Sequence, residues 1–191
     1  SSEAREIPSG YQDIHYDLCS IDFDPATGEF GQQVDTLLKV STQGKSISFP
    51  RPSYDGRYLV YTLSNYGNFS IWHKEADLWL LDLEQGTTRP LSEVDSDDTE
   101  SFHNWSADSR WMVFSSRRNG GLYTRLYFTH LDGQGHFSKP FLMPQKEPWE
   151  YEDENIYSYN VPDFTSAPIQ LDRRDLEKEI LSDKRIQIEV N

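Results

Sequence analysis

The sequence predicts an all-β chain in which four-stranded antiparallel meanders stack as blades of an incomplete propeller, followed by a short helix and a strand. Three observations predict it: a repeat at a fixed spacing, short strands rich in rings and β-branched residues, and a Ser-x-Asp turn that recurs with the repeat. Arg51-Pro-Ser-Tyr-Asp-Gly-Arg-Tyr-Leu-Val-Tyr-Thr62 aligns with Asn104-Trp-Ser-Ala-Asp-Ser-Arg-Trp-Met-Val-Phe-Ser115. Ser53 matches Ser106, Asp55 matches Asp108, Arg57 matches Arg110 and Val60 matches Val113, each pair 53 residues apart (Asp55 to Asp108). A repeat of roughly 40–50 residues carrying four strands is the period of a propeller blade.

Taken in order, the chain opens with the outer half of a blade. Asp17-Leu-Cys-Ser-Ile-Asp-Phe-Asp24, a turn at Thr27-Gly28 and an apolar stretch from Val34 to Leu38 repeat what Asp77-Leu-Trp-Leu-Leu-Asp-Leu-Glu84, Gln85-Gly86 and Arg89-Pro-Leu91 do later. Arg125-Leu-Tyr-Phe-Thr-His-Leu-Asp132, Gly133-Gln-Gly135 and Lys139-Pro-Phe-Leu142 form the third copy. Tyr58-Leu-Val-Tyr61 and Trp111-Met-Val-Phe114 suit strands buried on both faces. In the turn before each, the Asp accepts backbone N–H groups and the Gly permits positive φ. The expected organisation is a partial blade and linker over 1–45, blades over 46–99 and 100–145, and an acidic connector with a C-terminal extension over 146–191. Within that extension, 156–161 reads as one more strand. Asp172 reads as the N-cap of a helix over 173–181, and Arg185-Ile-Gln-Ile-Glu-Val190 alternates as a half-buried strand does.

These repeats resemble those of TolB-like, WD-repeat-like propellers. Trp105-Ser-Ala-Asp-Ser-Arg-Trp-Met-Val-Phe-Ser-Ser-Arg117 and Pro52-Ser-Tyr-Asp-Gly-Arg-Tyr-Leu-Val-Tyr61 look like the W-S-P-D-G-K-x-L-A-F-x-S unit, and Asp77-Leu-Trp-Leu-Leu-Asp-Leu83 with Gly86 looks like the strand that follows it. The match covers about 11–145, with Tyr54 and Ala107 in place of the usual Pro and Ser109 in place of a Gly. The resemblance implies the fold, and a setting such as the periplasm or cell envelope of Bacteroidetes-type bacteria. It does not imply an activity. Propellers close with about 4–8 blades, so two whole units and a half-unit imply a portion of a longer protein, an open arc, or association of several chains.

Composition narrows the partners. With 18 Lys and Arg against 32 Asp and Glu, the formal charge is −14. Such a surface repels phosphate backbones and anionic membranes, which argues against nucleic acid as a partner. The single cysteine, Cys19, excludes an internal disulfide and a cysteine-rich zinc site. No stretch of about 18 apolar residues appears, so no transmembrane segment is expected.

Candidate chemistry is sparse. Comparable propellers occur in prolyl-oligopeptidase-type enzymes, but no Gly-x-Ser-x-Gly elbow is present, and Ser106 with Asp108 reads as a turn. No catalytic residue is nominated and no cofactor is expected. Asp95, Asp97, Asp98 and Glu100 offer hard oxygens of the kind Ca²⁺ takes, without the EF-hand pattern; a solvated acidic loop is the plainer account. His73, His103, His130 and His136 lack His-Glu-x-x-His spacing.

Recognition is the stronger expectation. In a blade, the loop between the second and third strands and the loop to the next blade emerge on one face: here 64–76 and 116–123, with 93–100 and 146–155. The first of these is long for a hairpin and carries Tyr66, Phe69, Trp72 and His73; Arg117, Arg118 and Trp149 belong to the same set of loops. Exposed aromatics on long loops are where binding concentrates; packing of these rings on the neighbouring blade is the alternative. The expected function is a non-catalytic scaffold that binds a protein or peptide partner. The alternative is the propeller portion of a larger hydrolase or carbohydrate-active enzyme.

Overall fold

The repeated turn decides where each strand begins. In the computed structural model, which describes residues 10–149, 151 and 156–182, the Ser53 hydroxyl donates to the Asp55 carboxylate and accepts the Tyr58 N–H, and Asp55 also accepts the Arg57 N–H. Ser106, Asp108, Trp111 and Arg110 repeat all three bonds. Gly56 takes the left-handed angle the turn needs, φ 74°, and Ser109 takes φ 57° at the matching place. The Ser109 hydroxyl accepts the Asp55 N–H across the gap at 3.0 Å, so the residue that departs from the Gly consensus ties one turn to the other.

Ten strands follow in order: β1 (Leu18–Asp24), β2 (Glu29–Leu38), β3 (Ser46–Pro52), β4 (Tyr58–Ser64), β5 (Asp77–Asp82), β6 (Thr87–Pro90), β7 (Glu100–Trp105), β8 (Trp111–Ser116), β9 (Arg125–His130) and β10 (Phe141–Leu142). β1 and β2 form a hairpin, β3 to β6 a four-stranded sheet in sequence order, and β7 to β10 a second one. All pairings are antiparallel. The two sheets are successive blades of an incomplete β-propeller.

Their stacking follows from strand alternation. Val60 pairs with Leu80 and Thr62 with Leu78, which sets these side chains on one face of the first sheet. Phe114 pairs with Tyr127 and Met112 with Thr129, which sets theirs on one face of the second. These faces meet in a single buried core that also takes in Tyr58, Leu91, Val94, Trp105, Leu131 and Phe137. The opposite face of the first sheet, with Leu59, Tyr61 and Leu81, packs on Leu18 at the base of the hairpin. Tyr58–Tyr61 and Trp111–Phe114 therefore hold equivalent places in successive sheets. Three side chains lock the stack: Trp105 Nε1 donates to the Arg51 carbonyl at 3.0 Å, His103 Nε2 to the Val60 carbonyl at 2.8 Å, and Ser109 accepts as above.

The innermost strands share a bulge. Register slips between Ser48 and Arg51 and again between Ser101 and Asn104. Inside each slip sits a left-handed phenylalanine, Phe49 and Phe102, both at φ 51°. Two residues earlier in each strand, an N–H bonds the preceding unit: Ile47 to the Tyr16 carbonyl and Glu100 to the Ala76 carbonyl, each at 2.9 Å. A third set exists. The Tyr159 N–H bonds the Thr124 carbonyl at 3.2 Å, and Val161, two residues on, has φ 52°. The segment expected as a strand over 156–161 thus lies where the innermost strand of a further blade begins. It carries no ladder because no second strand pairs with it among the described residues.

Helix α1 (Arg173–Ile180) starts where Asp172 accepts the Arg174 N–H at 2.8 Å. The alternating segment 185–190, and part of the connector expected over 146–155, lie outside the described residues.

Candidate functional site

The long β4–β5 connection is pinned from both ends, which fixes what it exposes. The Gly67 N–H reaches the Ile14 carbonyl at 2.7 Å, and Lys45 donates to Asn65 at 2.7 Å. Ser70 is buried: its hydroxyl sits 3.3 Å from that of Ser48 and 3.4 Å from that of Ser101, and its carbonyl accepts from Thr99. Ile71 and Ala76 are buried as well. With the backbone anchored at 67, 70, 71 and 76, Phe69 and Trp72 are left 61% and 66% exposed.

The residues nominated from sequence separate into groups. Tyr66 serves the loop itself, with its ring 5.6 Å from Tyr11 and 4.3 Å from His73. His73 Nδ1 lies 3.4 Å from Glu75. Phe69 leans on Phe102 at 6.2 Å and keeps an open face. Arg117 is buried; its guanidinium lies 4.1 Å over the Trp72 ring and donates to the carbonyls of Ile71 and Gly121. It holds Trp72 in place from the next blade, a cation–π contact worth about 0.5–1 kcal/mol at an exposed ring. Arg118 is committed elsewhere, to Glu100 at 3.0 Å, the Val94 carbonyl and the Ser116 hydroxyl. Trp149 is exposed, and among the described residues no ring contact joins it to the other six. Trp72 and Arg117 thus form one group, and Phe69 is exposed three residues away on the same anchored loop; Arg118 and Trp149 stand apart.

Carboxylates gather beneath these loops. Asp77, Asp95 and Glu100 bring one oxygen each within 4.8 Å of one another. Glu100 is fully buried and accepts from Ser96, Ser116 and Arg118. Asp95 accepts the Leu78 N–H. Burial pushes the Asp95 carboxyl up to about 8, with Asp77 and Glu100 adding to the rise. Burial also lifts Asp77 to about 6, helped by Glu100 and Glu75, and raises Glu100. Of the four calcium candidates, Asp95 and Glu100 belong to this cluster. Asp97 is exposed, and Asp98 accepts the Thr99 N–H. Asp77, which opens a repeated strand segment, was not nominated from sequence; only folding brings it to Asp95. Beside the cluster, Lys74, Ser96, Asp97, Asp98, Arg118, Gly120 and Gly121 line an open concavity of about 400 Å³.

A second concavity, of about 90 Å³, opens along the innermost strands, lined by Phe49, Arg51, Phe102, His103, Asn104 and Val161. Burial pushes the His103 imidazole down to about 4. Its Nε2 donates to Val60, so Nδ1 is the bare acceptor, and no partner meets it among the described residues. Sequence reasoning passed over this site because it depends on the bulges. The signal was present, since Phe49 and Phe102 stand 53 residues apart, the interval of the whole repeat.

No family model matches the sequence, and no curated protein matches it. Among solved structures, the chain is similar to TolB from Acinetobacter baumannii, at 20% identity and a TM-score of 0.44 over 66% of this chain and 30% of that one. It is similar to the β-propeller domain of the trilobed protease from Pyrococcus furiosus, described as having an open velcro topology, at 16% identity and a TM-score of 0.38 over 67% of this chain and 35% of that one. A prolyl endopeptidase matches at 16% identity and a TM-score of 0.30, over 63% and 24%. The chain spans between 24% and 35% of the length of these proteins. The blade assignment rests on the two sheets and their repeated bonds. No helix among the described residues is long and apolar enough to cross a membrane.

Proposed function

We propose that this chain is the binding part of a non-catalytic propeller scaffold, and that it takes a protein or peptide segment on the loop face around Trp72 and Phe69. The observation that carries the reading is the pairing of rigid backbone with exposed rings. Large apolar side chains held out in water by an anchored loop lose little entropy on binding, and such rings dominate binding energy at interfaces. A cell-envelope location belongs to the same reading and is supported by the type of repeat. Calcium at the carboxylate cluster is a further part of it, since Asp77, Asp95 and Glu100 supply hard oxygens. Ca²⁺ should then raise the melting temperature at pH 8, and the Asp95→Asn variant should not respond.

The test is selection of a random-peptide display library on the purified chain. Peptides enriched on the parent protein should bind Trp72→Ala and Phe69→Ala at least about tenfold more weakly, a loss of roughly 1.4 kcal/mol, with circular dichroism unchanged. Peptides that bind both variants as well as the parent would remove this face. Loss on Phe102→Leu alone would instead move the ligand to the concavity lined by Phe49, Phe102 and His103, in favour of the propeller portion of a larger hydrolase or carbohydrate-active enzyme.

A further inference from the structure

The stacking of the two sheets has a direction. The first sheet offers the face of Tyr58, Val60 and Leu80, and the second receives it on the face of Met112, Phe114 and Tyr127. A stack built this way leaves one face of each kind for a further sheet. Among the described residues both faces carry exposed apolar side chains, and on the second sheet Phe164 lies against Phe128 with ring centroids 5.9 Å apart.

At one end, the outer face of the second sheet carries Trp111, Phe128, His130 and Phe141. These form a continuous run of rings: Trp111 to His130 at 4.8 Å, Trp111 to Phe141 at 6.2 Å and Phe128 to Phe141 at 5.9 Å. Trp111 is 37% exposed, whereas Tyr58, its equivalent on the first sheet, is 6% exposed because the second sheet covers it. At the other end, the β1–β2 hairpin pairs Ile21 with Val34 and Phe23 with Phe30. All four side chains share a face and all are exposed. Leu18 lies on the opposite face of β1, buried against the first sheet. Through the repeat, Asp17 corresponds to Asp77 and Arg125, so Cys19 and Ile21 take the places of Tyr127 and Thr129. The exposed face of the hairpin is therefore the kind that receives a preceding sheet.

We propose that the two ends meet between copies of this chain: the Ile21, Phe23, Phe30 and Val34 face of one copy packs on Trp111, Phe128, His130 and Phe141 of a second. Continuity with the existing interface argues for this occupant, because it repeats between copies the contact already made within one. The segment around Tyr159–Val161 supplies the innermost strand of the composite blade and the hairpin its two outer strands. One strand position stays open between them. The contact joins unlike surfaces, as a head-to-tail interface does.

Sedimentation velocity on the purified chain, from low to high micromolar concentration, tests this. A dimer is expected, and both Trp111→Lys and the double variant Phe30→Lys, Val34→Lys should be monomeric with unchanged circular dichroism. An equimolar mixture of the two variants should regain dimers, because one undamaged pair of faces remains. A parent chain that stays monomeric throughout would overturn the proposal and leave the faces to further blades of a longer chain. A dimer that survives both variants, or variants that fail to complement, would overturn it as well, since the contact would then lie elsewhere or join like surfaces.

Discussion

Ser109 holds at φ 57° a backbone angle that Gly56 holds freely at the matching turn. A side chain there costs about 1–2 kcal/mol, and its hydroxyl offsets this by accepting the Asp55 N–H of the neighbouring blade. Ser109→Ala keeps the strain and loses the bond; Ser109→Gly loses both. The lost bond cancels between the two, so urea denaturation should find the Ala variant less stable than the Gly variant by the remaining backbone strain, about 1 kcal/mol after the entropy cost of Gly. The carboxylates make a second prediction at this scale. Asp95 and Asp77 have folded pKa values raised to about 8 and about 6, above the 3.8 of an unburied Asp. The folded state therefore holds protons that the unfolded chain gives up. Their contribution is fully present below about 3.8 and is lost as pH rises through 6 and then 8. Asp17, Asp55, Asp108 and Asp132 are shifted the other way by hydrogen bonds from Ser41, Ser53, Ser106 and His136, and their contribution is lost in acid. Melting temperature should fall between pH 5 and 8.5, and Asp95→Asn should remove most of that slope. A flat profile in the parent protein would contradict the buried cluster.

At the scale of elements, the strands and turns were legible because local chemistry sets them. Ser53 with Asp55 and Ser106 with Asp108 make their bonds within five residues, so the pattern can be read without the fold. Asp172 caps its helix for the same reason. The bulges at Phe49 and Phe102 were hidden, because a left-handed phenylalanine looks like any other apolar strand residue. The strand expected over 156–161 was half legible: its sequence calls for extended backbone, but a ladder needs a partner. Of the candidate site, the exposed rings Phe69 and Trp72 could be read from loop length and composition. The cluster of Asp77, Asp95 and Glu100 could not, since its members come from three separate segments. Arg117 and Arg118 are neighbours in sequence with unlike fates, one stacked on Trp72 and the other paired with Glu100. Both lie just past the end of β8, where the chain turns away from the sheet, and only the stacked sheets say what waits on either side.

At the scale of the whole molecule, everything functional depends on one sheet covering the next. The loop face is fixed by Arg117 of the second blade reaching the Ile71 carbonyl of the first. The carboxylate cluster spans the same boundary. His103 reports on that boundary most directly, because its burial comes from the first sheet and its Nε2 bonds the Val60 carbonyl there. Nitrogen-detected NMR of ¹⁵N-histidine-labelled protein, assigned with His103→Gln, measures its state. The stacked sheets predict a neutral His103, protonated on Nε2 and bare on Nδ1, that resists protonation until about pH 4. A His103 that titrates near 6.5, as an imidazole in water does, would show that the two sheets do not cover one another as described.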